Sequence, residues 1–195
     1  MPPDAAQDFW QTLRARHPAF RAAVREDARV NALHRGERHE FRSGRDAALQ
    51  AVRLAWVSDA FLAQVLYRAK AALQRRGVPV LPRVCHRLAM VSGQVAIGDP
   101  VVVAPGLYLL HGQVVVDGLT EIGAGCVIGP FVTIGLRAGE LRGPVVEDGV
   151  SVGTGAKVIG PVRVGAGARV GANAVVVGDV APGATVAGAP ARPLA

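Results

Sequence analysis

The chain has 195 residues and a net charge of +7, and half of its residues are hydrophobic but only 5% are aromatic. This length allows one compact domain, or a repeat domain preceded by a smaller helical one. Because large rings are scarce and glycine occurs 24 times, the core must be built from valine, isoleucine and alanine. This composition argues against an ordinary β-sandwich and favours thin stacked aliphatic layers.

The positive charge lies in the first half of the chain. Residues 1–92 contain 16 Lys and Arg against 8 Asp and Glu, whereas residues 93–195 contain 6 against 7. The arginines recur at helical spacing without a basic run or stacking aromatics, so a solvated helical surface is favoured over a nucleic-acid interface. No segment has the length and hydrophobicity of a membrane span or a secretion signal, and we expect a cytoplasmic protein without a membrane partner.

Residues 1–92 are predicted to form a helical domain. Pro18 should interrupt the first helical stretch. The longest helix should begin at Ser43 or Asp46, kink near Ser58 and end before Gly77, and a shorter helix should follow Pro82. The sequence predicts burial for one set of side chains in this domain and exposure for another. The apolar stripe of the long helix should be buried, comprising Leu49, Val52, Trp56, Phe61, Val65 and Leu73. The histidines of this half, His17, His34, His39 and His86, should lie at the surface because none has partners at ligand spacing.

From Ile97 onward the pattern changes to a six-residue repeat. Aliphatic residues begin the repeats and should point inward: Ile97, Val103, Leu109, Val116, Ile122, Ile128, Ile134, Val146, Val152, Val158, Val164, Val170 and Val176. The fourth residue after many of them is also small or aliphatic and should also point inward: Cys126, Val132, Ala156, Val162, Ala168 and Ala174. Such hexapeptide repeats are typical of a parallel β-helix, in which three repeats close one triangular coil.

The rhythm is interrupted twice. One extra residue is absorbed between Leu109 and Val116, around His111, which is the only histidine after residue 93. A longer interruption, "GLRAGELRGPV", should leave the coil as a loop. Because binding residues concentrate in loops on rigid scaffolds, both interruptions are candidate sites.

The segment "VGTGAKVIGPVRVGAGARVGANAVVVGDVAPGATVAGAPARPL" closely resembles the C-terminal repeats and cap of hexapeptide acyltransferases. Helices followed by coils, with "FLAQVLYRAKAALQRRG" and "GLYLLHG", resemble serine acetyltransferase. The resemblance implies an α+β fold, in which a helical domain (1–92) precedes a left-handed parallel β-helix of hexapeptide repeats (93–195) with a loop at 136–145.

The resemblance also implies a chemistry. In this family a histidine acts as the general base that removes the proton of the acceptor hydroxyl as it attacks acetyl-CoA. His111 matches that base. Leu110 and Arg142 match substrate-side positions. The region that binds the co-substrate acetyl-CoA matches Gly135, Gly155, Ala156, Lys157 and Arg192, although Lys157 can equally be an ordinary exposed repeat residue.

The chain departs from the family pattern at four positions. The aspartate that orients the base falls on Ala96, fifteen residues before His111. The aspartate before the base becomes Leu110, the second histidine falls on Gly143, and a substrate-side glutamate falls near Leu119. Another carboxylate would have to replace the orienting aspartate, and the candidates are Asp99, Asp117, Glu121 and Glu140.

These features predict an acetyl-CoA-dependent O-acetyltransferase that acts on serine or another small hydroxyl acceptor. The alternative is a non-catalytic or regulatory trimeric relative that has lost serine acetylation. A zinc enzyme of the γ-carbonic anhydrase type needs three histidines from neighbouring coils, and a single histidine argues against it. We expect no metal. We expect a homotrimer, with a dimer of trimers as a further assembly.

Overall fold

The structure is a computed structural model that describes residues 3–194. Five helices come first in the chain: α1 (Pro3–Ala15), α2 (Phe20–His34), α3 (Gly44–Val57), α4 (Asp59–Arg75) and α5 (Leu81–Gly93). The predicted interruption at Pro18 is confirmed, because α1 ends and α2 begins on either side of it. Ser43 caps α3 as predicted, since its hydroxyl accepts a hydrogen bond from the backbone N–H of Asp46.

The long helix is divided in two. Ser58 has extended backbone angles, ends α3, and accepts the N–H of Phe61 at the start of α4. The predicted kink is therefore a complete break between two helices. Apolar residues that would form one stripe on a continuous helix lie on different faces before and after the break. Leu49, Val52 and Trp56 are exposed, while Ala47, Ala51 and Leu54 face the neighbouring helices. The prediction that the first part of the stripe is buried was wrong for this reason.

Fifteen short strands follow α5 and form three parallel sheets that wind through five coils. We call them sheets A, B and C. Sheet A contains β1 (Val95–Ile97), β4 (Val114–Val116), β7 (Thr133–Gly135), β10 (Lys157–Ile159) and β13 (Val175–Val176). Sheet B contains β2 (Val102–Val103), β5 (Leu119–Ile122), β8 (Arg142–Val146) and β11 (Arg163–Val164). Sheet C contains β3 (Tyr108–Leu109), β6 (Val127–Ile128), β9 (Ser151–Val152), β12 (Arg169–Val170), β14 (Thr185–Ala187) and the antiparallel β15 (Arg192–Pro193).

The repeat positions occupy the core as predicted. Every aliphatic residue that begins a repeat is at most 3% exposed, and the small residues four positions later are buried with them. Residues between the inward positions form ladders on the outer faces. The outer ladder of sheet A runs through Ala96, Val115, Thr133, Lys157 and Val175 in register.

Polar side chains from the helices cover the first coil, which has no preceding coil to satisfy its backbone. The buried Arg68 of α4 donates to the carbonyl oxygens of Val103 and Ala104 and pairs with Asp27 of α2 at 2.8 Å. Asp27 in turn accepts the N–H groups of Gly106 and Leu107.

The same arrangement extends along α4. Gln64, Tyr67 and Lys70 donate to the carbonyl oxygens of Leu107, Val101 and Ile97. Buried backbone groups need such partners, so α4 takes the place of a further coil.

His17 is buried rather than at the surface, which corrects the prediction for this histidine. It is 6% exposed, its ring lies 6.2 Å from that of Tyr67, and its Nδ1 has no hydrogen-bond partner among the described residues. Burial, and then the neighbouring Arg68, lower the pKa of His17 to about 4. The cause is the helix break at Pro18, which turns this side chain inward beneath α4.

The second interruption is shorter than the segment 136–145. Strand β8 begins at Arg142, so the connection between β7 and β8 spans residues 136–141. This connection stays close to the coils, because Leu136 packs directly over Gly118.

Candidate active site

His111 lies at the corner where the chain leaves sheet C after β3 and enters sheet A at β4. The corner absorbs the extra residue by placing Gln113 in the left-handed region (φ 60°). It is anchored to the end of α5, since the N–H of Gln113 donates to the carbonyl oxygen of Gly93 and that of Val114 donates to Gln94. A side chain at Gly112 would overlap the Gly93 carbonyl, so a glycine is required here.

The imidazole of His111 is exposed and forms no hydrogen bond to any of residues 3–194. The four candidate carboxylates are engaged elsewhere. Asp99 pairs with Lys70, Glu121 with Arg16 and Glu140 with Arg137. Asp117 accepts the N–H of Gly118. Among the described residues, then, His111 has no carboxylate partner of the kind that orients a histidine base in such catalysis.

The structure shows what surrounds two of the residues that depart from the family pattern, Ala96 and Gly143. Ala96 is on β1 in register with Val115 of β4, so a small apolar side chain stands where the family has its orienting aspartate. Gly143 is buried in β8, and any Cβ there would overlap the hydroxyl of Thr120. A side chain at position 143 would therefore require Thr120 to move.

The two substrate-side candidates, Leu110 and Arg142, lie on different parts of the solenoid. Leu110 precedes His111, and its N–H donates to Ile128 while its side chain remains exposed. Arg142 opens β8 opposite Leu119 of β5 and is also exposed. Its guanidinium makes no ion pair with any described residue.

The candidates for acetyl-CoA binding lie on the later coils. Gly135 ends β7 and pairs with Ile159, and Gly155 occupies a left-handed turn (φ 73°). Lys157 stands on the outer ladder of sheet A and donates to the carbonyl oxygen of Phe131, which leaves it two further N–H groups. Arg192 is exposed on β15 near the end of the solenoid.

Ala156 differs from these residues. It is fully buried in the core, its N–H donates to Gly153, and its carbonyl oxygen accepts the N–H of Thr133. Neither its side chain nor these two backbone groups are free to contact a ligand.

A cavity of about 470 Å³ opens between α5 and the first two coils. Arg83, His86 and Arg87 line it from the helix, and Ala96, Val115 and Asp117 line it from sheet A. Burial, and then the nearby Lys70, lower the pKa of His86, while Asp99 acts in the opposite direction. The sequence pattern did not predict this cavity. The signal available was the spacing of Arg83 and Arg87, which places both on one face of a helix.

The described residues contain no group of three or more His, Cys, Asp or Glu side chains that could hold a metal ion. None of the helices in residues 3–194 is both long and apolar enough to cross a membrane.

Solved structures share this architecture of helices followed by coils. Serine acetyltransferase from Neisseria gonorrhoeae, in complex with serine, superposes with a TM-score of 0.75 at 27% identity over 88% of this chain and 67% of that chain. The soybean serine acetyltransferase complexed with serine gives a TM-score of 0.74 at 30% identity over 91% and 70%. These similarities confirm the predicted fold class, a helical domain followed by a left-handed parallel β-helix of hexapeptide repeats.

Curated sequences point to the same class. No family model matches the chain. The serine acetyltransferase of Helicobacter pylori strain J99 is 38% identical over 136 residues, which cover 68% of this chain and 79% of that protein. The one from Synechococcus elongatus is 35% identical over 136 residues, and the match covers 55% of its length. The chain belongs to the serine acetyltransferase family of hexapeptide-repeat acyltransferases.

Proposed function

We propose that this chain is an acetyl-CoA-dependent O-acetyltransferase that transfers the acetyl group to the hydroxyl of serine or of another small acceptor, with His111 as general base. The observation that carries the proposal is the position of His111. It stands exposed at an anchored corner of the coil, and its imidazole accepts or donates no hydrogen bond within residues 3–194. The resemblance of "YLLHG" to the family's active-site coil adds support.

The reaction needs no covalent enzyme intermediate. The imidazole of His111 takes the proton of the acceptor hydroxyl as its oxygen attacks the thioester carbonyl carbon of acetyl-CoA. The carbon–sulfur bond then breaks, and the thiolate of CoA takes the proton from the imidazolium. Transfer of the acetyl group thus releases one free thiol and regenerates the neutral base.

Acetyl-CoA is proposed to lie along the outer face of sheet A beyond His111. Lys157 keeps two N–H groups for a pyrophosphate or carbonyl oxygen, and Gly135 and Gly155 allow a ligand to approach the backbone. Arg192 supplies a second cation at the end of the coil stack. Ala156 lies in the core beneath these residues. Arg142 and Leu110 are proposed to border the acceptor.

The test is thiol release from acetyl-CoA over a panel of hydroxyl acceptors, with the variant His111→Ala. We expect a loss of at least about a hundredfold, the usual contribution of a general base. His34→Ala is the matched control, since His34 is an exposed histidine stacked on Tyr108 at 4.5 Å, on another face. An acceptor-dependent thiol release that persists at the wild-type rate in His111→Ala rules out this function.

The alternative, a non-catalytic or regulatory relative, is favoured by two observations. Ala96 stands at the position that the resemblance assigns to the orienting carboxylate, and a side chain at Gly143 would overlap the hydroxyl of Thr120. Under this alternative, no acceptor in the panel gives thiol release that depends on His111, while acetyl-CoA still binds.

A homotrimer is proposed, with subunits completing each other's acetyl-CoA groove. Its support is an apolar stripe on α5, where Leu81, Val84, Leu88 and Val91 recur at helical spacing and are all exposed. A second exposed stripe on α3, ending in Trp56, supports pairing of trimers. Light scattering should give a trimer or hexamer mass for the wild-type chain, and Trp56→Glu should reduce a hexamer to a trimer. A monomeric wild-type chain contradicts both assemblies.

A cytoplasmic location is proposed with this function.

A further inference from the structure

We infer that the cavity between α5 and the first two coils binds the carboxylate of a small hydroxyl acceptor through Arg83 and Arg87. This inference rests on the proposed function for the meaning of "acceptor", but the binding step itself does not depend on catalysis. It assigns an anion-binding role to two helical arginines outside the coils.

The cavity has an unbalanced positive charge. Arg83 and Arg87 are one helical turn apart on α5, both reach the same 470 Å³ space, and neither forms an ion pair with any of residues 3–194. On the opposite wall Asp99 is already neutralised by the ammonium of Lys70 at 3.0 Å. Asp117 alone faces the two guanidinium groups, so one positive charge is left for a ligand to balance.

The shape of the cavity favours a small carboxylate. Guanidinium groups match the two oxygens of a carboxylate with paired hydrogen bonds, and this volume lies within the range of small-molecule sites. The floor is made by the short side chains of Ala96 and Val115, which leave room but offer no polar group. The half-buried His86 between the arginines adds a ring nitrogen to the wall.

The cavity opens on the first two strands of sheet A. Ala96 and Val115 are the first two rungs of the outer ladder of sheet A, and Lys157 is the fourth. With about 4.8 Å between neighbouring strands, Lys157 lies about 10 Å beyond Val115. His111 precedes Val115 of β4 by four residues, so the Cα atoms of the two residues are at most about 13 Å apart. The cavity therefore lies at the helical end of sheet A, two strands before Lys157, and the titrations below separate an acceptor carboxylate from the phosphate of CoA.

The experiment compares four small probes by isothermal titration calorimetry. L-serine and glycerate carry a hydroxyl and a carboxylate, whereas serinol and glycerol carry hydroxyls without a carboxylate. We expect the wild-type chain to bind the two carboxylates and not the two alcohols. The variant Arg83→Gln/Arg87→Gln should weaken carboxylate binding by at least about tenfold, because charge-assisted hydrogen bonds are lost. Arg45→Gln/Arg169→Gln, which removes two exposed arginines that do not line this cavity, is the control of equal charge change.

The inference is overturned if glycerate and L-serine bind the wild type and the double variant equally, or bind neither. It is also overturned if the double variant raises only the KM for acetyl-CoA and the wild type discriminates against acetyl-dephospho-CoA, since the anion would then be the phosphate of CoA. Arginine-dependent carboxylate binding without thiol release that depends on His111 would support the site and reject the proposed function. Circular dichroism of each variant checks that it is folded.

Discussion

The helical domain and the solenoid solve the problem of burial in opposite ways. Each coil of the solenoid rests on its neighbour, so a six-residue pattern determines which side chains enter the core, and every such side chain is buried. In the helical domain, packing depends on how separate helices meet, and the buried set includes Asp27, Gln64, Arg68 and Lys70. The difference teaches that α2 and α4, besides their apolar packing, supply a polar cover for the open first coil.

The polar cover is tested most directly by removing the buried Asp27–Arg68 pair of α2 and α4, both members of which bond to the backbone of the first coil. We expect Asp27→Ala to reduce the free energy of unfolding by about 3–5 kcal/mol, because Arg68 would stay buried without its partner and two N–H groups of the first coil would lose their acceptor. Urea denaturation measures this loss. Glu121→Ala removes the exposed pair with Arg16 and should cost less than about 1 kcal/mol. Equal losses in the two variants would refute the special role of the polar cover.

A second prediction sharpens the contrast within a single helix. Leu54 is fully buried and Leu49 is 71% exposed, although the apolar pattern treats Leu49 as a core residue. We expect Leu54→Ala to cost about 2–5 kcal/mol and Leu49→Ala about 0.5 kcal/mol or less, measured by the same denaturation. If Leu49→Ala proved the more costly in a monomeric preparation, the orientation of α3 would be wrong.

The third prediction concerns acid sensitivity, which should originate in the helical domain. Because burial lowers the pKa of His17 to about 4 in the folded chain, the unfolded chain binds more protons between that pH and about 6.5. Stability should therefore be complete above about pH 6.5 and decline by up to about 3 kcal/mol as the pH falls toward 4.

The variant His17→Leu should flatten this part of the stability curve, while His34→Leu, at an exposed position, should follow the wild type. Thermal unfolding between pH 4 and 7 provides the measurement. Parallel curves for wild type and His17→Leu would show that His17 does not titrate on unfolding.

The solenoid could be predicted residue by residue because its period is short and its contacts are between neighbouring coils. Even Cys126 falls in the core as its repeat position requires, and burial raises the pKa of its thiol to about 11. The helical domain could not be predicted as well. One extended residue, Ser58, changes the face of a whole helix, and the turn at Pro18 buries His17.

For the candidate site, the sequence located the corner of His111 but not its surroundings. The resemblance places Gly143 where relatives carry a histidine, yet only the packing shows that a side chain there would meet the hydroxyl of Thr120. Likewise, Arg83 and Arg87 read as surface residues until α5 is laid against β1 and β4. Such features depend on contacts between distant parts of the chain, which no local pattern records.

The contact between Gly93 and Gly112 bears on how this protein can be divided. The carbonyl oxygen of Gly93, the last residue of α5, accepts a hydrogen bond from the corner that carries His111. The helical domain therefore anchors the residue proposed as the base. A fragment of coils alone would lose the cover of its first layer and the brace of its histidine together. The end of α5 therefore helps to fix the position of the corner that carries His111.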